Sequence, residues 1–209
     1  WGVGDIMYAD LDGDGKISNG TNKLGDTGDY RIIGNSTPRF KYGITLDAAW
    51  KGFDFSIFMQ GIGKRDLWLD GCYFWGANGQ VNEWQSTGFA EHWDFFRPEG
   101  DPLGANLNSY YPRVNFSGDR NTKVQTRYLQ NGAYLRLKNV QLGYTLPRVW
   151  TEKAGISSVR VYVSGDNLAT ITSLSKIFDP EATGSLAGTG SGKLYPLQRV
   201  ISVGVNVNF

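Results

Sequence analysis

Hydrophobic and polar residues alternate strictly along the last eleven residues of the chain, 199–209. Apolar Ile201, Val203, Val205, Val207 and Phe209 alternate with Ser202, Gly204, Asn206 and Asn208. A period of two over this length predicts a β-strand with one apolar and one polar face. A tilted strand of about 9–11 residues crosses a bilayer, whereas strands of soluble sheets are usually about 5–6 residues long. The pattern therefore predicts either a membrane-crossing strand or a long edge strand of a soluble sheet.

The same alternation predicts four further strands, at 39–48, 53–60, 133–146 and 158–167. The first two form a hairpin around the short connection 49–52, where Gly52 permits a tight turn. In the third, the apolar residues change parity near Lys138 and Asn139, which predicts a β-bulge. Pro147 ends that strand because proline cannot donate to the hydrogen-bond ladder.

The connections between these strands alternate between long and short. Residues 1–38, 62–132 and 168–197 form long loops, while 49–52 and 147–157 form short turns. Transmembrane barrels have long extracellular loops at one end and short periplasmic turns at the other. The sequence thus predicts an all-β fold: about five long transmembrane antiparallel strands of an outer-membrane β-barrel. An aromatic girdle at the periplasmic end would contain Trp50, Phe53, Tyr144 and Phe209.

Five strands are too few to close such a barrel, because an open edge in lipid leaves backbone groups without hydrogen-bond partners. We therefore expect the chain to be a C-terminal fragment whose barrel is completed by sequence outside it. The start, WGVGDIMYADL, also lacks a basic region followed by an apolar core, so no signal peptide is predicted there.

Composition narrows the function classes. The formal net charge of +1 and the lack of a basic stripe argue against a nucleic-acid partner. Cys72 is the single cysteine, which excludes an internal disulfide and a thiolate metal cluster. His92 is the single histidine and no serine lies in a G-x-S-x-G motif, which disfavours a serine hydrolase. The acidic pair Glu91 and Asp94 is better explained as part of a solvated face, so we predict no enzyme.

A D-x-D-x-D-G motif near the start of the chain predicts a structural calcium site. Asp10, Asp12 and Asp14 place hard oxygens at alternate positions, Gly15 allows the sharp turn, and the carbonyl of Lys16 takes the backbone-ligand position. Position twelve of the motif holds Thr21 instead of the expected glutamate, so the last carboxylate would come from Asp26 or Asp29. The alternative is an acidic turn with solvated carboxylates.

The loop 62–132 is unusually long and rich in aromatic residues, which argues against disorder. We expect it to be folded and packed on itself, with short helices or strands.

Several long motifs occur in an order that resembles the C-terminal part of SusC/RagA-type TonB-dependent outer-membrane transporters. They are YADLDGDGKIS, DYRIIGNSTPRFKYGITLDAAWKGFDFSIFMQGIGKRD, TRYLQNGAYLRLKNVQLGYTLP, VRVYVSGDNL, FDPEA and VGVNVNF. The likeness extends over nearly the whole chain and is weakest in 67–123 and 181–194.

The resemblance implies a plugged barrel of about 22 strands in the bacterial outer membrane, importing oligosaccharides or peptides. It also implies a SusD-like surface lipoprotein as partner, and energy from TonB through an N-terminal plug region that this chain lacks. Gly204, Val207 and Phe209 occupy the expected positions of a barrel-assembly signal, and the motif of Asp10, Asp12 and Asp14 is similar to an extracellular calcium loop of the family.

Two other classes remain open from the residues alone. A secreted soluble β-sandwich that binds calcium and carbohydrate would bury Phe40, Phe55, Ile57, Val161 and Val203 against a second sheet, whereas a barrel wall would leave them exposed. A glycan-degrading enzyme would depend on a pair of carboxylates.

Overall fold

The computed structural model describes residues 1–79, 88–116, 120–183 and 195–209. Within them it contains two short α-helices, α1 (Cys72–Trp75) and α2 (Arg148–Thr151), and two 3-10 helices, Ala90–Trp93 and Glu152–Ala154. The strands are β1 (Arg39–Trp50), β2 (Phe53–Lys64), β3 (Asp66–Leu67), β4 (Gln130–Asn131), β5 (Tyr134–Thr145), β6 (Ser158–Thr172) and β7 (Val200–Asn208).

The long strands form one antiparallel five-stranded sheet in the order β1-β2-β5-β6-β7, and β3 pairs with β4 separately. The predominance of antiparallel strands confirms the all-β prediction. No helix in the described ranges is long and apolar enough to cross a membrane.

The chain divides into two compact units. The sheet unit comprises Ser36–Leu67, Gln130–Gly184 and Leu194–Phe209, and the loop unit comprises Trp1–Asn35, Trp68–Leu129 and Ser185–Lys193.

Three strands, β1, β2 and β6, are longer than the alternation predicted, whereas β5 and β7 are each one residue shorter at both ends. β1 ends at Trp50 and β2 begins at Phe53, so the hairpin turn is only Lys51 and Gly52, both with positive φ. Positive φ at both central residues gives a turn whose twist matches that of the flanking strands. β2 continues to Lys64, so the predicted loop 62–132 begins in a strand.

β6 likewise extends beyond the predicted boundary at Asn167. Ala169 and Ile171 stay in register with Leu137 and Leu135 of β5, which moves the start of the predicted loop 168–197 to beyond Thr172. The glycine-rich part of that loop, 184–194, lies outside the described residues.

The predicted bulge in β5 is confirmed. The register of β5 with β6 shifts between Leu137 and Asn139, and the register with β2 shifts at the same place. The extra residue, Lys138, explains why the apolar residues of this strand change parity.

The described part of the region 62–132 contains an aromatic core, so this part packs on itself as predicted. Phe74, Tyr128 and Leu69 are fully buried, and Trp75 is nearly so. The rings of Trp75 and Tyr128 meet edge to face with centroids 4.8 Å apart. Such pairs add stability beyond the area that they bury.

Candidate functional site

One face of the sheet presents apolar side chains in register on all five strands. Antiparallel partners stand opposite each other, so each row crosses the sheet from β1 to β7. One row contains Ala48, Phe55, Leu142, Val163 and Val203. The next contains Trp50, Phe53, Tyr144, Val161 and Val205.

These apolar side chains are exposed. Phe40 is 74% exposed, Val203 79% and Phe55 36%, while Ile57 is partly buried and Val161 is 37% exposed. In the described residues the other sheet has only the two-residue strands β3 and β4. The face therefore lacks the covering sheet that a soluble β-sandwich needs, and it forms an exposed apolar patch of the kind that contacts lipid or another protein.

Aromatic residues mark the end of the sheet that carries the two-residue turn. Trp50, Phe53 and Tyr144 are cross-strand partners, and the rings of Phe53 and Tyr144 have centroids 4.5 Å apart. Phe209 lies beyond Val207 at the same end and is 90% exposed. Helix α2 adds exposed Trp150, which the strand alternation did not single out. Aromatic residues at one end of the strands are typical of a membrane interface.

The opposite face is polar. One row holds Asp47, Ser56, Gln141, Ser164 and Ser202. Asn139 of β5 donates a hydrogen bond of 2.7 Å to Asp166 of β6, and Arg160 of β6 forms an ion pair with Asp54 of β2. Polar groups that pair across strands suit a wall that faces water.

The loop 10–29 gathers three carboxylates. One oxygen from each of Asp10, Asp12 and Asp29 lies within 4.8 Å of the other two. Asp10 is fixed by the backbone N–H groups of Gly13 and Gly15, at 2.6 and 2.8 Å. The three side chains thus converge on one point.

Asp29 joins the cluster although it is distant from the motif in sequence. Its two oxygens accept hydrogen bonds from the backbone N–H groups of Leu11 and Ser18, at 2.6 and 2.7 Å. These bonds hold the pKa of the Asp29 carboxyl below its ordinary value.

The remaining predicted ligands are placed differently. Asp14 lies outside the converging group, and its Oδ1 accepts a hydrogen bond of 2.7 Å from the backbone N–H of Lys16. Asp26 accepts bonds from the hydroxyl and N–H of Thr21, and these lower its pKa. Of the two candidates for the last carboxylate, the structure brings Asp29 to the cluster.

The donor set fits a hard divalent cation. Carboxylate oxygens are the ligands that Ca²⁺ prefers, and an oxygen that accepts one N–H bond keeps a second lone pair for an ion. Gly13 and Gly15 have φ of +82° and +80°, which permits the sharp turns of such a loop.

A groove of 2140 Å³ lies within the loop unit and was not predicted from the sequence. Its lining includes Tyr8, Tyr30, Trp68, Trp75 and Arg31. Aromatic faces and a guanidinium group can contact the rings of sugars or the side chains and carbonyls of peptides.

The remaining titratable residues singled out from the sequence have structural partners. Nδ1 of His92 accepts a hydrogen bond from the N–H of Phe89, and its Nε2 faces the carbonyl oxygens of Tyr73 and Phe74 at 3.1 Å. The carboxylate of Asp94 accepts bonds from Asn106 and from the N–H of Tyr110.

Gly204, one residue of the expected assembly signal, faces an aromatic ring. A Cβ at this position would overlap the ring of Tyr162, its partner on β6. Val207 pairs with Val159, and Phe209 follows the end of β7.

Known proteins resemble this chain along almost its entire length. TonB-dependent receptor P3 of Formosa agariphila is 32% identical over 99% of the chain, and receptor P26 of the same organism is 30% identical over 99%. The chain spans about a fifth of the length of these relatives, 19% and 20%. No protein-family model matches it.

Solved structures of a related transporter also resemble this chain. The chain superposes on the RagAB peptide transporter with a TM-score of 0.65 and 27% identity, over 86% of this chain and 18% of that one. The RagAB peptide importer in its open-open state matches with a TM-score of 0.64, at the same identity and coverage.

An antiparallel wall with one exposed apolar face and relatives of this kind indicate an outer-membrane transporter of the β-barrel class. Within that class the resemblance predicted from the sequence motifs is confirmed. The chain is a segment of a SusC/RagA-like TonB-dependent transporter. Its relatives are named as receptors and transporters, not as enzymes.

Proposed function

We propose that this chain forms five adjacent strands in the wall of an outer-membrane importer. The apolar face contacts lipid and the polar face lines the passage. One observation carries the proposal: the apolar residues of all five strands are in register and exposed, as in Phe40, Val161 and Val203. Closure of the barrel requires strands from the remainder of the transporter, since β1 and β7 are the edges of this sheet.

The turn at Lys51–Gly52 and the connection containing α2 lie at the aromatic end of the sheet, which we assign to the periplasm. The opposite end of the sheet, where β2 ends at Lys64, β5 begins at Tyr134 and β6 ends at Thr172, we assign to the cell exterior. Trp50, Phe53 and Tyr144 then lie at the periplasmic interface.

The complete transporter imports oligosaccharides or peptides together with a SusD-like lipoprotein, and TonB supplies energy through the plug outside this chain. The similarity to TonB-dependent receptors and to a peptide importer supports this function. The wall is a rigid frame for transport. The plug and the lipoprotein lid move relative to it, and the solute passes without chemical change. The groove lined by Trp68, Trp75 and Tyr30 offers substrate contacts in the extracellular loops.

The carboxylates of Asp10, Asp12 and Asp29 hold a structural calcium ion that fixes the extracellular loop 10–29. Their convergence within 4.8 Å supports this assignment. Without a cation, three negative charges at this spacing repel one another. Asp14 and the carbonyl of Lys16 complete the ligand set if the loop closes around the ion.

Cysteine labelling of the two faces tests the wall assignment. In full-length transporter lacking Cys72, single cysteines replace Val163 or Val203 on the apolar face and their neighbours Ser164 or Ser202 on the polar face. In isolated outer membranes, a charged, water-soluble maleimide should label the second pair and spare the first, whose thiols stay protonated in hydrocarbon and react only after denaturation. Equal labelling of both pairs by the charged reagent, or recovery of the protein in the soluble fraction, would contradict the proposal and favour a soluble β-sandwich.

A further inference from the structure

Eleven residues after β6, 173–183, fold back onto the sheet and are called the strap here. The strap contains the FDPEA motif noted in the sequence. Two of its apolar side chains, Leu174 and Phe178, are buried, whereas Ser173 and Lys176 are exposed. The strap therefore has one side packed in the protein and one side open.

Three ion pairs attach the strap to β5, and the longest of them joins Arg136 Nη1 to Glu181 Oε1 at 3.5 Å. Arg136 Nη2 lies 2.7 Å from Asp179 Oδ1, and only 5% and 7% of these side chains are exposed. Lys138 Nζ lies 3.0 Å from Glu181 Oε2. Arg136 is itself fixed by a bond of 2.8 Å from its Nε to the hydroxyl of Thr170 on β6. A buried ion pair of this kind keeps its geometry because separating it leaves a charge without compensation.

Asp179 also holds the two ends of the last long connection together. Its Oδ2 accepts a hydrogen bond of 3.0 Å from the N–H of Leu197, which precedes β7, and its Oδ1 accepts one from the N–H of Glu181. Burial opposes ionisation of Asp179, but these bonds and the bond from Arg136 hold its pKa below the ordinary value. The carboxylate therefore stays charged at neutral pH.

The contacts reach the strap from the polar face of the sheet. Arg136 stands in the row with Gln60 and Thr170, whereas its neighbours Leu135 and Leu137 belong to the apolar face. Arg65, just past the end of β2, adds a hydrogen bond of 3.2 Å to the hydroxyl of Thr183. The strap thus lies on the side of the wall that we have assigned to the passage.

We infer that the strap is a fixed lining of the passage, positioned on the wall by the pairs Arg136–Asp179 and Lys138–Glu181, and that it stays in place during transport. Arg136 and Asp179 are positioning residues in this inference, and the exposed side of the strap with Lys176 is what a solute meets. The inference rests on the proposed function for the direction of the polar face; the attachment itself is independent of it.

Zero-length cross-linking tests the attachment in the full-length transporter. A water-soluble carbodiimide joins an amine to a carboxylate in direct contact, so it should link Lys138 to Glu181 in intact cells, as detected by mass spectrometry. The yield should be equal in energised cells and in cells treated with a protonophore, which removes the energy for TonB. A yield that falls by half or more in energised cells would show that the strap moves, and absence of the link in both would show that it is not attached.

Accessibility tests the position of the strap. Trypsin added to cells should cleave after Lys176 at least tenfold faster in Asp179→Asn than in the wild type, because a protease needs an extended, mobile segment and the wild-type strap is held on the sheet. A small charged maleimide should still label Lys176→Cys in protein without Cys72. Equal cleavage rates, or no labelling, would overturn the inference.

Arg136→Met should speed cleavage after Lys176 as Asp179→Asn does, whereas the matched control Arg199→Met, at an exposed position outside the cluster, should leave the rate unchanged. If the Arg136 and Asp179 variants fail to assemble, the cross-linking of the wild type still decides the question. Failure of the face-labelling experiment with a positive cross-link would reject the membrane orientation and leave the attachment standing.

Discussion

Arg160 of β6 reaches across β5 to Asp54 of β2, with its Nε 2.8 Å from Asp54 Oδ2. The pair spans three strands on the polar face, and it can form because Gly143 of β5 lies beneath it without a side chain. A Cβ at Gly143 would overlap both Asp54 and Arg160. The sequence places a glycine where the ion pair needs open space.

Gly143→Ala should therefore destabilise the sheet unit. We expect a loss of about 0.2–1 kcal/mol, because the flexible ends of both side chains must move away from the new Cβ and thereby lose a partly exposed ion pair. The measurement is the temperature at which the folded transporter loses its characteristic gel mobility. Gly88→Ala is the control, because a Cβ there meets no atom within 4 Å. Equal midpoints for the two variants would contradict the role of Gly143.

A charge on the apolar face should disrupt assembly much more than a charge on the polar face. Val203→Arg near the middle of β7 should lose about 2–4 kcal/mol, as arginine does at the centre of a bilayer. The adjacent Ser202→Arg should assemble in amounts close to the wild type. Quantitative blotting of outer-membrane fractions measures both, and similar losses for both variants would argue against lipid contact.

Calcium binding should depend on Asp12 and Asp29 but not on Asp26. We expect stoichiometric calcium in purified wild-type transporter by elemental analysis, and none in Asp12→Ala or Asp29→Asn. Asp26→Asn should retain the ion because its side chain bonds to Thr21 instead. Loss of calcium only in Asp26→Asn would reassign the last ligand, and bound calcium in Asp12→Ala would reject the ligand set.

Asp5 should stabilise the start of the loop unit. Its carboxylate is 2% exposed and accepts bonds from Arg113 Nε and Nη2, at 2.8 and 2.9 Å, and from Asn121. Asp5→Ala should cost about 1–2 kcal/mol, at the low end for charged hydrogen bonds, because the arginines are partly exposed. Hydrogen exchange of residues 1–8 measures the change, with exposed Glu99→Ala as the control. Unchanged exchange in Asp5→Ala would contradict this role.

The same carboxylate should make the stability of the loop unit depend on pH. Burial opposes ionisation of Asp5, but bonds from Arg113, Asn121 and Gly2 lower its pKa below the ordinary value of 3.8. The unfolded segment takes up a proton before the folded one, so the contribution of Asp5 is complete above pH 3.8 and is lost as the pH falls further. The protection factors of residues 1–8, which correct for the intrinsic pH dependence of amide exchange, should fall under acid more in the wild type than in Asp5→Ala.

Gly204 should be required as space for an aromatic ring. Gly204→Ala should slow assembly of the transporter because the new Cβ overlaps the ring of Tyr162. Adding Tyr162→Leu should restore assembly at least in part. Pulse-labelling of folded protein in the outer membrane measures the rate. No rescue would indicate that Gly204 acts through recognition during assembly, as the resemblance implies, and not through packing.

Local alternation was sufficient to predict the long strands, their antiparallel connection and the bulge, because each is encoded by neighbouring residues. The positions of the strand ends were predicted less accurately. β6 continues to Thr172 because Ala169 and Ile171 find partners on β5, and such pairing is invisible in one strand by itself.

Residues distant in sequence explain most of what was missed. The aromatic content of 62–132 predicted a folded loop, but not that Phe74 and Tyr128 would form its buried centre. The choice between Asp26 and Asp29 depends on backbone N–H groups of Leu11 and Ser18, which only a closed loop brings near. The attachment of Asp179 to Arg136 joins positions 43 residues apart, and no local pattern indicates it.

Lys138 interrupts the alternation of β5, and the bulge takes up the interruption. Because the bulge accommodates this one extra residue opposite β2, Leu135 and Leu137 lie on the same side as Val140. A strand of the same sequence without the bulge would turn the two leucines toward water and Arg136 toward hydrocarbon. Deleting Lys138 would instead make the alternation regular and keep both leucines on the apolar face, so the strand would lose the amine that reaches Glu181 but not its orientation in the sheet.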